Sequence, residues 1–422
     1  MSGNDGRASG RERLQRGVSL PAVVSLLLGT LGISIAYGIV LLLPLYVQEQ
    51  GGNEASFGVV LSSAAIPAVL CIGLLIRYPE AIRPHVVVGI AIVVFAVGAA
   101  GVSVVHGSWT PLVGIGVLLG TAWAVVYTAT PMVMSEMVTD EGRATYFGYL
   151  TGTQQVGIGA GPVVARLLVE TDLGFRGTFL AAGLVCLFAV ALTVAVGLLT
   201  PDSRVQRSSE RDATTGDEDA GVSFGEAIGQ IMRSEVVFSL VMILLFACLF
   251  TSLTQFQTTF ASARELDYSV FYVAYTVAVI ASRFGLAPLV SRFETSLVIA
   301  VSVSMMALSV ATFLVVGSNT LLYGMASAFV GLGYGLALPS VQAQAVNVSE
   351  EAVRPRVLPL AGLLFQAAIL GFPLIAGWII ASLDYPALFA VLVTFTLVQA
   401  AIGWWRFSVA RRALNAEEAP QP

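Results

Sequence analysis

Lysine is absent from this 422-residue chain, and its 21 basic residues are all arginine. The acidic run Asp217-Glu218-Asp219 and a pI near 5.2 assign this absence to genomic composition or a salty habitat rather than to mechanism. Charge of either sign is scarce: 11% of residues are charged, against 56% hydrophobic, and the mean hydropathy is +0.85. A soluble globular chain carries roughly 25% charged residues, so most of this surface does not face water. The three cysteines, Cys71, Cys186 and Cys248, all fall within apolar stretches. They read as small hydrophobes, not as a disulfide or metal set. His85 and His106 lie at helix ends with no second ligand type beside them, so no metal is expected. No phosphate-binding loop occurs, which excludes an ATP-driven pump. No His, Asp, Glu or Cys cluster stands at membrane depth, which argues against a membrane-embedded enzyme. No cofactor and no nucleic-acid partner are expected.

What is present is a series of long uncharged runs. Arg16 to Glu49 encloses 32 uncharged residues, Glu54 to Arg77 encloses 22, and Arg176 to Asp202 encloses 25. About 20 apolar residues span a bilayer as a helix. The first run is too long for a signal peptide, and its Pro44-Leu45-Tyr46 end has no small-residue cleavage site. Dividing the runs at charged or turn-forming residues predicts twelve helices, near 20–47, 55–77, 85–106, 110–136, 144–168, 176–199, 235–260, 267–290, 295–316, 319–346, 357–381 and 385–406. They are called spans 1 to 12 below. Arginine sets the orientation. With a cytoplasmic N-terminus, 17 arginines fall inside and three outside (Arg166, Arg176 and Arg264), while Arg283 lies within a span. Both termini are therefore expected in the cytoplasm, in a multi-pass protein of the cell membrane. The polar stretch 201–233 divides the chain into a six-helix unit at 1–200 and another at 234–422. It reads as a disordered linker that ends in a short interfacial helix from Phe224 to Met232.

The halves repeat. At an offset of 211, Arg143 falls on Arg354, Gln155 on Gln366, Pro162 on Pro373, Gly120 on Gly331, Glu54 on Glu265 and Phe57 on Tyr268. At an offset of 210, Phe179 meets Phe389. Two parallel six-helix halves related by an axis along the membrane normal describe the major facilitator superfamily, which the chain resembles over nearly its whole length. The family's G-x-L-a-D-R-x-G-R gate loop is matched in part: Gly73-Leu74-Leu75-Ile76-Arg77-Tyr78-Pro79-Glu80 keeps the glycine and a later arginine but has no aspartate. The second half has Arg283-Phe284-Gly285-Leu286-Ala287-Pro288-Leu289-Val290-Ser291-Arg292. In span 5, Gly148, Gly157, Gly161 and Pro162 fit the start of G-x8-G-x3-G-P-x2-G-G, a pattern that marks exporters in the superfamily. Ala165 and Arg166 stand in place of its closing glycine pair. Glycines strip side chains from a helix face and let a neighbour approach closely, and Pro162 frees a backbone carbonyl.

The resemblance implies a central cavity lined by spans 1, 4, 7 and 10 with help from 2, 5, 8 and 11. The polar and aromatic residues near the middle of those spans are Tyr37, Trp123, Tyr127, Gln155, Gln255, Tyr275, Tyr334 and Gln366, and these are the expected solute-binding residues. Ser34, Gln154, Thr251, Thr254, Tyr272 and Gln342 lie nearby. An unpaired amide in hydrocarbon costs several kcal/mol, so the glutamines are expected to face a cavity or one another. Such a lining suits an uncharged or amphiphilic organic solute. A strongly charged one would need an opposing buried charge.

Intramembrane carboxylates are the usual proton relays of transporters, and none lies near the centre of a span. The gating and coupling candidates are Glu54 at the external rim, Arg77 in the gate loop, Glu136 at the inner end of span 4, and Arg283. Arg143 and Arg354 join them within the acid-then-arginine clusters that follow spans 4 and 10: Glu136, Asp140, Glu141 and Arg143, then Glu350, Glu351, Arg354 and Arg356. Those clusters read as locks between the halves. Arg283 has two readings, a structural contact with helix-end carbonyls or Glu350, or a site for an anionic group.

The expected function is export of a small organic compound by alternating access, in a monomer, with protons as the coupling ion. Uptake of a metabolite, or a non-transporting sensor or scaffold on the same fold, are the alternatives.

Overall fold

A computed structural model describes residues 19–77, 83–138, 142–200, 224–286, 292–351 and 353–417. Tyr78, Pro79, Glu80, Asp140, Glu141, residues 287–291 and the linker stretch 201–223 lie outside the described residues.

The chain is all helix among the described residues. Ten helices are long and apolar enough to cross a membrane, including Leu20–Glu49, Pro84–Val104 and Gly174–Leu199. A further 27-residue helix, Arg143–Val169, is rich in Gly, Thr and Gln and forms span 5. The long helix Arg354–Glu417 is two spans in one run, because Asp384 breaks it with φ 69° and ψ 170°. The arrangement therefore agrees with twelve crossings. Several spans are interrupted. Span 1 is Leu20–Val40 followed by Leu43–Glu49, and span 2 is Glu54–Ser62 followed by Ala65–Arg77. Span 7 is Val236–Gln255 followed by Gln257–Ala263. Span 8 is Tyr268–Ile280 and then a π-helical turn, Ala281–Leu286.

Spans 3, 4, 6, 9 and 10 are Pro84–Val104, Leu112–Met137, Gly174–Leu199, Thr295–Thr312 and Thr320–Asn347. Asn53 and Asp267 cap spans 2 and 8, accepting from Ser56 N at 3.0 Å and Ser269 N at 2.9 Å. Asn319 does the same for span 10, accepting from Leu322 N at 3.0 Å. Each cap satisfies a backbone donor that has no partner within the helix. The short helix Phe224–Arg233 precedes span 7, close to the bounds expected for the interfacial helix.

The helices form two bundles of matching design. Span 1 packs on spans 5 and 6, span 3 on 4 and 6, and span 2 on 4; in the second half span 8 packs on 10 and span 9 on 10 and 12. One contact shows the repeat at atomic scale. A Cβ added at Gly120 would run into Ala64, and one at its counterpart Gly331 would lie 2.5 Å from the Tyr275 carbonyl oxygen. Ala64 and Tyr275 are themselves 211 positions apart. The bundles meet through span 2 against span 11 and span 5 against span 8, two pairings that the repeat interchanges.

Large apolar side chains cover the outside, among them Ile66, Leu198, Leu308 and Val315, each more than 70% exposed. A belt of that kind is stable against lipid and unstable against water. The chain is a multi-pass membrane protein. The face that carries Leu20, Arg143, Arg354 and Arg406 is called the near face below, and the one that carries Glu54, Arg166, Asp267 and Tyr385 the far face.

Candidate functional site

The site is built on two aromatic groups, one from each half. In the first, the rings of Tyr37 in span 1 and Trp123 in span 4 stack at 3.8 Å with an 11° interplanar angle. Tyr127, one turn further along span 4, stands 6.2 Å from Trp123. In the second, Tyr334 of span 10 stacks on Phe250 of span 7 at 5.3 Å and lies 6.2 Å from Tyr275 of span 8. Phe365 of span 11 approaches Phe250 at 6.4 Å. Gln255 in span 7 joins the groups by donating from Nε2 to the Tyr37 hydroxyl oxygen at 2.9 Å. The hydroxyl of Tyr127 also lies within electrostatic reach of those of Tyr275 and Tyr334. Six of the eight expected solute-binding residues are thus brought together: Tyr37, Trp123, Tyr127, Gln255, Tyr275 and Tyr334. Gln155 and Gln366 sit on spans 5 and 11, half-buried and buried, and no hydrogen bond joins them to that group among the described residues.

Glycine places these rings. A Cβ at Gly38 would lie 2.7 Å from the Ile158 carbonyl oxygen and 2.8 Å from Gly161 Cα, so spans 1 and 5 meet backbone to backbone beside Tyr37. Gly157 seats against Ser34, where a Cβ would approach Ser34 Cβ to 2.5 Å. Gly157 and Gly161 therefore pack the first half internally. Gly148, Gly152 and Gly159 look toward span 8: Gly159 against Thr276, and Gly148 and Gly152 against the Phe284 ring, at 3.8 and 3.1 Å from an added Cβ. Pro162 lies inside the span-5 helix and is buried.

The site contains polar atoms without partners. The Ser34 Oγ, Gln155 Nε2, Tyr275 hydroxyl and Arg283 Nε are buried and make no hydrogen bond. Each such group costs about 1–3 kcal/mol of desolvation unless it is given a partner. Tyr127 is 39% exposed although its neighbours Val125 and Val126 are buried, so it borders open space deep in the fold.

The halves close at the far face. Glu54 Oε1 accepts from the Tyr385 hydroxyl at 3.0 Å across the halves and from Gln48 Nε2 at 2.9 Å. Arg166 pairs with Asp267, again across the halves, and with Glu170 at 3.0 Å. Thr258 donates to the Leu41 carbonyl at 3.3 Å, and a Cβ at Gly58 would lie 2.5 Å from the Pro373 carbonyl oxygen. Toward the near face the Phe284 ring still lies against Gly152 across the halves, and an added Cβ at Gly73 or Gly362 would meet nothing within 4 Å.

Arg77, Glu136 and Arg143 all stand at near-face helix ends, and none lacks a partner. Arg354 donates from Nη2 to the Ser349 carbonyl at 3.2 Å within its own turn. Arg283 forms no ion pair and no hydrogen bond among the described residues, with Glu350 or with any helix-end carbonyl. Its charge instead falls within reach of the Tyr127, Tyr275 and Tyr334 hydroxyls. The uncharged lining expected from the sequence is therefore incomplete, because this arginine borders the tyrosine group.

Sequence reasoning missed several members. Phe250 and Phe365 carry no polar atom to distinguish them from other apolar residues of their spans, although Phe250 lies one turn before Thr254 on a cavity-lining span. Asp267 and Tyr385 were missed because their partners, Arg166 and Glu54, come from the other half. The acidic residue at the start of span 8 opposite the far-end arginine of span 5 is the available signal for the first of these pairs.

Known proteins resemble the chain at two levels. Among solved structures, a mutant form of the nucleoside transporter NupG superposes with a TM-score of 0.72 at 13% identity, covering 92% of this chain and 100% of its own. NupG itself gives 0.71 at 15% identity, covering 92% and 99%. At such identities the likeness is one of fold. Among curated protein sequences nothing matches. The profile of the Major Facilitator Superfamily matches residues 22–371, most of the chain, from span 1 into span 11. The chain is a transporter that belongs to the Major Facilitator Superfamily.

Proposed function

We propose that this transporter exports a small, planar organic solute by alternating access, with the two bundles rocking about the Tyr37–Trp123–Gln255 site and protons as the coupling ion. One observation carries the reading: a stacked aromatic pair from the first half is hydrogen-bonded across the central plane to an amide of the second. Any rocking of the bundles must remake that contact, so a solute between the rings senses both halves at once. Stacking surfaces and unpaired donors, here Trp123, Tyr127 and Gln155, are what a ring with hydrogen-bonding substituents needs.

Export is supported by the span-5 glycine pattern, whose residues form both the span 1 and the span 8 contact faces. Coupling is assigned to Glu54. It closes the far face against Tyr385, and protonation would weaken the carboxylate as an acceptor and release that contact. The near face, which takes most of the arginines, is assigned to the cytoplasm.

The test is a susceptibility and accumulation screen of a deletion strain over many planar compounds, followed by counterflow with the hits in proteoliposomes. Nucleosides, named for both structural neighbours, belong in that panel. Accumulation in the deletion strain, and transport that follows an imposed pH gradient, support the proposal. Depletion in that strain would reassign the direction to uptake. Indifference to the gradient would discard proton coupling, and absence of counterflow across the panel would discard transport of such solutes.

A further inference from the structure

Arg283 is an uncompensated charge beside the aromatic site. A guanidinium stays ionised in any protein setting and presents five N–H donors in a planar fork. Here Nε is buried and makes no hydrogen bond among the described residues. Among the described residues its charge acts on the phenols of Tyr127, Tyr275 and Tyr334. Charges at membrane depth are costly and ordinarily come with a partner.

The backbone holds Arg283 in this position. It lies in the π-helical turn Ala281–Leu286, a geometry frequently found at functional sites. Its two neighbours are anchored on different helices. Ser282 is buried against Gly335 of span 10, and the Phe284 ring lies against Gly152 of span 5 in the other half. Arg283 is held between those anchors, eight residues from Tyr275, about 12 Å along an ideal helix axis. Its own side chain is partly exposed, so a solute can reach it.

Resting on the aromatic-site reading above, we infer that the transported solute is a planar organic acid: its ring lies in the tyrosine–tryptophan group and its carboxylate, or an equivalent single anionic group, pairs with the Arg283 guanidinium. The fork of donors suits a planar two-oxygen acceptor, and the unpaired Tyr275 hydroxyl offers a further donor. The solute itself then supplies the missing counter-charge, and the occupied site is neutral while the bundles rock.

Trp123 provides the readout. The full-length protein is purified with Trp109, Trp378, Trp404 and Trp405 changed to phenylalanine, and fluorescence is titrated at neutral pH with matched acids and amides: benzoate and benzamide, nicotinate and nicotinamide, indole-3-acetate and indole-3-acetamide. In at least one pair the acid binds about tenfold more tightly than the amide. Arg283→Gln abolishes that preference while still binding the amide, which shows that the site is folded, and Arg283→Lys keeps part of it. If in every pair that binds the amide binds as tightly as its acid, or the preference survives Arg283→Gln, the inference is overturned and the aromatic site stands. If neither member of any pair binds, the aromatic-site reading falls and takes the inference with it.

Discussion

Gln255 of span 7 donates to the hydroxyl oxygen of Tyr37 in span 1 at 2.9 Å, and both residues are buried at the plane where the two bundles meet. The same Tyr37 ring stacks on Trp123. One side chain thus takes part in a contact between halves and in the candidate solute surface.

Gln255→Leu strands the Tyr37 hydroxyl and is expected to lower stability by about 1–3 kcal/mol. Counterflow should fall more than the loss of folded protein explains. Melting temperature in detergent and counterflow per folded molecule separate the two effects. Tyr37→Phe, which removes the polar partner with its ring kept, should be milder on stability and similar on transport.

Gly161→Leu places a side chain where the Gly38 backbone already lies. Overpacking of this kind costs about 1–3 kcal/mol or more, and the expected result is loss of a monodisperse peak in size-exclusion chromatography. Gly148→Ala, whose added Cβ would stand 3.8 Å from Phe284, should stay within about 0.5 kcal/mol of the parent.

The far-face contacts should govern access rather than stability. Arg166 and Asp267 are 39% and 33% exposed, so solvent screens their pairing and removing it costs about 0–1 kcal/mol. Asp267→Asn combined with Tyr385→Phe should leave the melting temperature within a few degrees. Labelling of a Thr258→Cys reporter from the far face should become severalfold faster; an unchanged rate would remove these pairs from the gate.

Arg143 and Arg354, which open their helices at equivalent positions of the repeat, are proposed to hold the near face shut in the opposite state. Arg143→Ala or Arg354→Ala should then populate the near-open state more fully. A Gly362→Cys reporter on the near side should label faster in either variant, and equal labelling would count against the lock.

Much of this was legible in the sequence because a bilayer leaves few solutions. Charge-free runs of 22 to 32 residues mark spans whatever their packing. The offset of 211 that pairs Gly120 with Gly331 also relates their contacts with Ala64 and Tyr275. Tyr37, Trp123 and Gln255 could be listed as central, because depth in a span follows from sequence position. Their mutual geometry could not, since it depends on the rotation of three helices from two bundles. The gate pairs were hidden for the same reason: Glu54 and Tyr385 are 331 residues apart and join unrelated spans. Arg283 kept two readings, a structural contact or a site for an anionic group, because the π-helical turn that carries it is not visible in the sequence.

The most direct test of alternating access needs no identified solute. Spin labels are placed at Asp172→Cys and Arg264→Cys on the far face, and in a second protein at Thr145→Cys and Phe293→Cys on the near face. Cys71, Cys186 and Cys248 are replaced by serine or alanine in both. Pulsed dipolar distances are then recorded in lipid nanodiscs with and without the solutes that quench Trp123. The account predicts two distance populations at each face, with a short far-face distance paired to a long near-face distance in one state and the reverse pairing in the other. Solutes should move both distributions together and in opposite senses. A single unmoved distance at each face, under every solute that binds, would contradict it.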